Sequence, residues 1–199
     1  MIVGFDFDNT IIDYKKLFKK ISYKKKLVPK NIKSDKNSVK EYLLSKNKEK
    51  EWTTLQGEVY GKHIMDAKIY SGVKKAMKSL SKNKIKFYII SHKTKFPYAG
   101  KKYNLHIAAK KWIYKNILKN DNSINLTTKN IFFEKSIKKK ILRINKLKCN
   151  IYVDDLSKIL DILPKRVMKI LFSPIDKIRP QKSIITMKNW REFNKIIKN

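Results

Sequence analysis

Residues 2–10 read IVGFDFDNT, a short apolar run that ends in two aspartates separated by one residue. The segment from Ile2 to Phe5 has the composition of a buried strand, and Asp6 and Asp8 follow at its C-terminal end. Side chains two positions apart on an extended segment point to the same side. Acids are scarce in this chain, with 16 Asp plus Glu against 49 Lys plus Arg. A close pair of acids therefore indicates a specific chemical task.

Length and composition predict a globular protein. A chain of 199 residues with 42% hydrophobic content can form one domain, or a core with a modest insertion. No apolar run approaches the roughly 20 residues of a membrane-spanning helix, so no membrane partner is expected. Asp6 interrupts the first apolar stretch too early for a signal peptide. The single cysteine, Cys149, leaves no internal disulfide and favours the reducing cytoplasm.

The formal net charge of +33 suggests an anionic partner. However, the basic residues are nearly all lysines, they occur in every segment, and Ile and Asn are also abundant. This pattern is typical of an AT-rich genome. Arginine, the residue that suits bidentate phosphate recognition, is present only four times. A nucleic-acid surface is therefore the less favoured interpretation of the charge, although the positive field would attract anionic substrates.

Further strands are predicted at residues 85–90, 130–133, 149–153 and 167–172. Helical spacing occupies residues 72–82, 105–118 and 136–147, and a closing amphipathic helix is predicted over 187–198. Strands that alternate with helices predict an α/β fold with a central parallel sheet. Ligands of such sheets bind beyond the C-terminal ends of the strands. Three of these ends carry polar clusters, with the sequences DFDNT, SHKT and DDL.

Residues 14–71 do not follow this alternation. They are rich in lysine, carry apolar residues at helical spacing and contain no convincing strand. We therefore expect a catalytic core formed by residues 1–13 and 72–199, with a small helical insertion at 14–71.

The acids themselves predict phosphate chemistry. Cleavage of a phosphate ester needs a nucleophile, a proton donor for the leaving group and positive charge near the phosphoryl oxygens. Of Asp6 and Asp8, one carboxylate can attack phosphorus while the other transfers protons. A divalent cation would offset their repulsion of phosphate, and hard oxygen ligands suit Mg²⁺. Asp154 and Asp155, at the end of another predicted strand, can supply further ligands.

The series DFDNT, Ser91, a downstream lysine and VDD resembles motifs I to IV of the haloacid dehalogenase-like (HAD) superfamily, in the same order across nearly the whole chain. Residues 132–156, FFEKSIKKKILRINKLKCNIYVDDL, together with SHKT, resemble a subgroup of predicted hydrolases within it. The resemblance implies a Rossmann-like three-layer core with a helical C1-type cap at residues 14–71. It also implies hydrolysis of a phosphoric monoester.

The resemblance further implies roles for the acids. Asp6 would form an aspartyl-phosphate intermediate and ligate Mg²⁺ through its side chain. Asp8 would serve as general acid and base and offer its backbone carbonyl to the metal. Asp154 would be a direct ligand, and Asp155 a direct or water-mediated one. True dehalogenases lack an acid at the position of Asp8, so phosphoryl transfer is favoured over dehalogenation.

Four residues are expected to bind phosphate: Thr10, Ser91, His92 and Lys140. Thr10 suits a phosphatase, although phosphomutases share much of its motif. Ser91 could instead cap a helix, and His92 could simply pack. The lysine is a choice among residues 135, 138, 139 and 140, most of which would lie on a solvated helix face. Alignment of the Phe-Phe-Glu and Asp-Asp landmarks with the subgroup selects Lys140.

Within the predicted cap, the segment EWTTLQGEVYGKH resembles a matching region of the subgroup. Trp52, Gln56, Tyr60 and Lys62 are therefore candidates for substrate selection, while helix packing is the alternative for Trp52 and Tyr60. The expected function is Mg²⁺-dependent hydrolysis of a small phosphorylated metabolite, a sugar phosphate or a nucleotide. The alternatives are a phosphotransferase or phosphomutase, and a nucleic-acid phosphatase or binding protein that uses the basic surface.

Overall fold

The computed structural model describes residues 1–119, 121–174 and 183–198. The predicted core range 72–199 includes residues 120, 175–182 and 199, which lie outside the described residues. The strands are β1 (Ile2–Phe5), β2 (Ile12–Asp13), β3 (Lys68–Ile69), β4 (Lys86–His92), β5 (Ile131–Glu134), β6 (Ile151–Asp154), β7 (Met168–Phe172) and β8 (Ile185–Met187). The helices are α1 (Lys15–Lys24), α2 (Lys36–Ser45), α3 (Glu49–Tyr60), α4 (Val73–Lys82), α5 (Leu105–Ile113), α6 (Ile137–Lys146), α7 (Ser157–Ile162) and α8 (Phe193–Ile196).

A six-stranded sheet in the order β5-β4-β1-β6-β7-β8 forms the centre of the described structure, and all its pairs are parallel. The α/β class and the five predicted strands are confirmed. The sheet places β1 between β4 and β6, so the three strands that end in polar clusters are neighbours. Parallel strands end at a common edge, and the clusters DFDNT, SHKT and DDL therefore meet there.

Apolar residues cover both faces of the sheet, which gives three layers. Val3 and Phe5 of β1 belong to a cluster that includes apolar residues of α4, α5 and α8. Tyr152 of β6 belongs to a second cluster, with residues of α6 and α7. Gly4 allows this second layer to approach, because a Cβ at that position would lie 2.6 Å from the Tyr152 ring. Strands buried on both faces are typical of such sheets.

One prediction for the C-terminal part is wrong. The closing helix predicted over 187–198 is confined to α8, and β8 precedes it as an additional parallel edge strand. Trp190 has helical spacing to Phe193, but it lies in a turn, and its indole N–H donates to the carbonyl of Thr10 at 2.9 Å. The burial of two large rings against Phe5 produced the apparent helical period.

Residues between β2 and β3 form the helical insertion, which comprises α1, α2 and α3. The two short strands pair antiparallel, with Ile12 opposite Ile69, at the base of this insertion. The expectation that residues 14–71 contain no strand is therefore wrong for β3. Asp35 begins α2 as its N-cap, because its carboxylate accepts the backbone N–H of Ser38 at 2.8 Å.

The loop of residues 94–103 packs against α3. A Cβ at Gly57 would lie 2.7 Å from the Pro97 side chain, and a Cβ at Gly61 would lie 2.5 Å from Tyr103. These two glycines thus let the loop after β4 reach the backbone of α3. Within the described residues, no helix has the length and apolar content needed to span a membrane.

Candidate active site

The chain turns tightly after β1. Asp6 extends the strand by one residue, with its N–H donating to the carbonyl of Val153 at 2.8 Å. The carbonyl of Phe7 then accepts the N–H groups of both residues 11 and 12. Asn9 completes the turn with a φ of +57°, a left-handed conformation that asparagine tolerates better than most residues. This turn brings both Asp6 and Asp8 to the wall of one cavity, as their spacing predicts.

Lys140 joins the ends of β1 and β6. Its Nζ lies 2.6 Å from Oδ1 of Asp6 and 2.6 Å from Oδ2 of Asp154. All three side chains are buried. Lysines 135, 138 and 139 are exposed, so Lys140 is the member of the predicted run that reaches the acids. The second oxygen of Asp6, Oδ2, has no hydrogen-bond partner among the described residues and remains available for chemistry.

Three carboxylates gather around this lysine. Asp6, Asp154 and Asp155 each offer an oxygen, and these oxygens all lie within 4.8 Å of one another. Asp154 is oriented by the N–H of Leu156, which donates to its Oδ1 at 2.9 Å. Lys140 pairs with Asp6 and Asp154, so the three carboxylates outnumber the one ammonium that contacts them. An all-oxygen set with surplus negative charge fits a hard divalent cation such as Mg²⁺.

Burial and the neighbouring charges both shift the pKa values of the site. Burial raises the pKa of Asp6 to about 7, and the neighbouring Asp154 and Asp8 add to this rise while Lys140 opposes it. Burial, followed by Asp6 and Asp154, holds the pKa of Asp155 well above its usual value. Burial opposes the charge of Lys140, yet Asp6 and Asp154 keep its pKa well above the usual value. The site therefore favours the charged form of Lys140 and disfavours the charged forms of Asp6 and Asp155.

Asp8 has a different set of partners. Lys93 Nζ lies 2.7 and 3.0 Å from the two oxygens of its carboxylate, and the hydroxyl of Tyr14 donates to Oδ1 at 2.9 Å. The backbone carbonyl of Lys93 lies 2.8 Å from Nε2 of His106. The carboxylate of Asp8 is thus separate from the three-acid cluster. Its expected contribution to the metal, through the backbone carbonyl, stays a prediction.

A cavity of about 360 Å³ opens above these groups. The core contributes Asp6, Asp8, Lys93 and Lys140, and the helical insertion contributes Lys36, Gln56 and Tyr60. Ser91 and His92 also line it, the former buried and the latter exposed. Ser91 lies in β4, and α5 begins after Asn104, so Ser91 does not cap that helix.

Thr10 is not brought to this cavity. Its side chain is buried, and its hydroxyl has no hydrogen-bond partner among the described residues. Of the four selection candidates, Gln56 and Tyr60 line the cavity. Trp52 is buried against Phe18, with ring centroids 5.4 Å apart, and Lys62 is exposed outside the cavity lining.

Three site residues were not singled out by the sequence analysis: Tyr14, Lys36 and Lys93. Lys93 lies inside the quoted SHKT motif, so its position after β4 could have marked it as a site residue. Tyr14 directly follows the first motif, but its role depends on the turn that folds it back to Asp8. Lys36 has no signal of its own in a chain where lysines occur in every segment.

Comparisons with known proteins identify the fold through solved structures. No protein-family model matches the sequence, and no curated protein matches it significantly. Solved structures do match over the full length. A HAD hydrolase named YfnB from Bacillus subtilis, in a structure bound to magnesium, superposes with a TM-score of 0.65 at 13% identity, over 100% of this chain and 98% of that one.

A family IA HAD hydrolase from Entamoeba histolytica gives a TM-score of 0.55 at 17% identity, over 100% and 99% of the two chains. A HAD phosphatase from Thermococcus onnurineus gives 0.52 at 14% identity, over 98% and 97%. These similarities confirm the predicted fold: the chain has the Rossmann-like architecture of HAD-superfamily hydrolases.

Proposed function

We propose that this HAD-fold chain is a Mg²⁺-dependent phosphatase that hydrolyses a small organic phosphate through an aspartyl-phosphate on Asp6. One observation carries the proposal. A buried lysine, Lys140, holds Asp6 and Asp154 together at the end of adjacent parallel strands, with one oxygen of Asp6 left without a partner beside a cavity. Such an arrangement supplies a nucleophile and positive charge at the same point.

Asp6, Asp154 and Asp155 would hold the cation, which would neutralise phosphoryl oxygens close to the acids. Lys140 keeps Asp6 in place and adds positive charge as the negative charge of the transition state develops. Ser91, which lines the cavity at the end of β4, would donate a hydrogen bond to a phosphoryl oxygen. Together these residues bind and orient the group to be transferred.

The first chemical step forms a bond between Oδ2 of Asp6 and phosphorus. The bond from phosphorus to the leaving oxygen breaks, and the acid form of Asp8 gives that oxygen its proton. In the second step Asp8 takes a proton from water, whose oxygen attacks phosphorus and releases inorganic phosphate and the Asp6 carboxylate. Lys93 and Tyr14 hold Asp8 in the orientation that both proton transfers need.

The position of the helical insertion favours a small substrate. We interpret residues 14–71 as a cap, because α3 contributes Gln56 and Tyr60 to the wall that faces the acids. A cavity of about 360 Å³ suits a sugar phosphate or a nucleotide better than a polymer.

The test is phosphate release from a panel of sugar phosphates, nucleotides and 4-nitrophenyl phosphate, with Mg²⁺ or with chelator. We expect turnover that needs Mg²⁺ and is lost in Asp6→Asn. Asp13→Asn is the matched control, because Asp13 lies in the same segment outside the cavity lining and should retain activity. Turnover that persists in Asp6→Asn, or release that ignores chelator, would contradict the proposal. Phosphate that appears on an added sugar instead of in solution would identify a transferase.

A further inference from the structure

Lys36 places an ammonium group over the cavity from the side of the helical insertion. It is the first residue of α2, and it is partly buried. Its Nζ lies 5.6 Å from the ring centroid of Tyr60 and 5.8 Å from that of Phe18. Tyr60, followed by Asp8 and Asp155, raises the pKa of Lys36 although burial opposes the rise, so the group is charged at neutral pH.

Lys36 differs from the other lysines of the cavity wall. Lys93 and Lys140 each form ion pairs with acids, and Lys158 is exposed to solvent. Lys36 forms no ion pair with the residues that the structure describes, because none of their carboxylate oxygens lies within 4.0 Å of its Nζ. Lys36 also borders a second cavity of about 320 Å³, shared with Asn9 and Asp155, so it lies where two spaces meet.

Asp8 and Asp155 attract the Lys36 ammonium from beyond ion-pair distance, so they compensate only part of the cost of burying it. Stacking on aromatic rings recovers about 0.5–2 kcal/mol, depending on how far the cation is desolvated. An anion from the ligand would complete the compensation. In the proposed function, Lys140, Ser91 and the cation held by the three acids bind the transferred phosphoryl group. In the described structure, no hydrogen bond or ion pair joins Lys36 to Lys140, Ser91 or these acids.

We propose that Lys36 binds a second anionic group on the leaving-group part of the substrate, so that the substrate class is a phosphomonoester that carries a further phosphate or carboxylate. This inference rests on the proposed function. An ammonium group is a point charge that accepts either anion, so the experiment must separate phosphate from carboxylate. Gln56 and Tyr60 share the same wall and would contact the connecting atoms.

The test uses three ligands that resist hydrolysis and share a three-carbon chain: propylphosphonate, 3-phosphonopropionate and propane-1,3-bisphosphonate. Binding to the full chain with Mg²⁺ is measured by calorimetry for wild type, Lys36→Met and Lys40→Met. Lys40 is an exposed lysine of the same helix outside the cavity lining, and its variant controls for the lost charge.

We expect wild type and Lys40→Met to bind at least one of the two ligands that carry a second anionic group about tenfold more tightly than propylphosphonate. This ratio is equivalent to ~1.4 kcal/mol. Lys36→Met should lose this ratio, and the tighter of the two ligands identifies the second group. Equal weakening of all three ligands in Lys36→Met would place Lys36 on the transferred group and overturn the inference. Absence of any preference in wild type would also overturn it.

Hydrolysis of 4-nitrophenyl phosphate by wild type tests the proposed function separately, because this compound carries no second anionic group. If neither this compound nor any other member of the panel is hydrolysed while the ligand preference depends on Lys36, the phosphatase proposal fails and the anion site stands. If it is hydrolysed and no preference exists, the phosphatase proposal stands and the anion site fails.

Discussion

At the scale of single residues, the site depends on which lysine meets which acid. Lys140 and Lys93 each reach a buried or partly buried carboxylate, while most lysines of the chain lie at the surface. The sequence marks the acids because they are few, and the resemblance selected Lys140. Lys93 could not be separated from its neighbours, because 49 of 199 residues are Lys or Arg and the ion pair forms only after the turn at Asn9 folds Asp8 toward β4.

Lys93→Met tests whether Lys93 positions Asp8. The variant keeps the length of the side chain but removes the ion pair, so Asp8 should lose its orientation. We expect kcat for 4-nitrophenyl phosphate to fall about tenfold to a hundredfold, corresponding to roughly 1.4–2.7 kcal/mol in the barrier, with little change in KM. Steady-state kinetics measure this, and circular dichroism checks folding.

Lys95→Met is the control, because Lys95 is exposed on the same loop and outside the cavity lining. A rise in KM at unchanged kcat in Lys93→Met would show that Lys93 binds substrate instead of positioning Asp8.

At the scale of elements, the parallel sheet could be predicted from the sequence, but its edge strand β8 could not. The central strands carry near-continuous apolar runs with polar ends, which is typical of strands buried on both faces. β8 consists of only three residues, and its last residue, Met187, was assigned to the start of the predicted terminal helix. The contact between α3 and the loop of residues 94–103 could not be predicted either, because it depends on the absence of a Cβ atom at Gly57 and Gly61.

Gly57→Ala tests that contact. In an isolated helix, alanine in place of glycine should stabilise by about 1 kcal/mol. Here the new Cβ would meet the Pro97 side chain at 2.7 Å, and overpacking of this kind costs roughly 1–3 kcal/mol. We therefore expect a lower free energy of unfolding in urea and a higher KM, because the loop that follows Ser91 and Lys93 is displaced.

Pro97→Gly removes the atoms that would clash, so the double variant Gly57→Ala/Pro97→Gly should show a favourable coupling in a double-mutant cycle. Additive effects of the two substitutions would indicate that the loop and α3 do not press against each other.

At the scale of the whole molecule, the acid cluster links the first and second halves of the chain. Asp6 follows β1, while Asp154 and Asp155 end and follow β6, so a bound cation would join segments nearly 150 positions apart in sequence. The fold class could be predicted from the alternation of strands and helices, and the order of the motifs came from the resemblance to the HAD superfamily. The exact shape of the cavity could not, because it depends on how the helical insertion packs across the core.

Mg²⁺ should therefore stabilise the folded chain as a whole. At a concentration a hundredfold above its dissociation constant, we expect about 2.7 kcal/mol of added stability, seen as a rise in Tm. Asp155→Asn should abolish this rise. It should leave the metal-free Tm unchanged or higher, because it relieves repulsion from Asp6 and Asp154.

Asp161→Asn, an exposed acid on α7, is the matched control and should respond to Mg²⁺ as wild type does. A metal-induced rise that survives in Asp155→Asn would place the cation elsewhere.

The most direct test of the central claim is to find the phosphoryl group on Asp6. Asp8→Asn should slow water attack more than phosphoryl transfer when the leaving group is 4-nitrophenolate, which needs no proton, so the intermediate should accumulate. Acid quench and peptide mass spectrometry after incubation with Mg²⁺ should show one added phosphoryl group on the peptide that contains Asp6. The group should be absent from Asp6→Asn/Asp8→Asn. A phosphoryl group on another residue, or nitrophenol release with no labelled peptide, would contradict nucleophilic catalysis by Asp6.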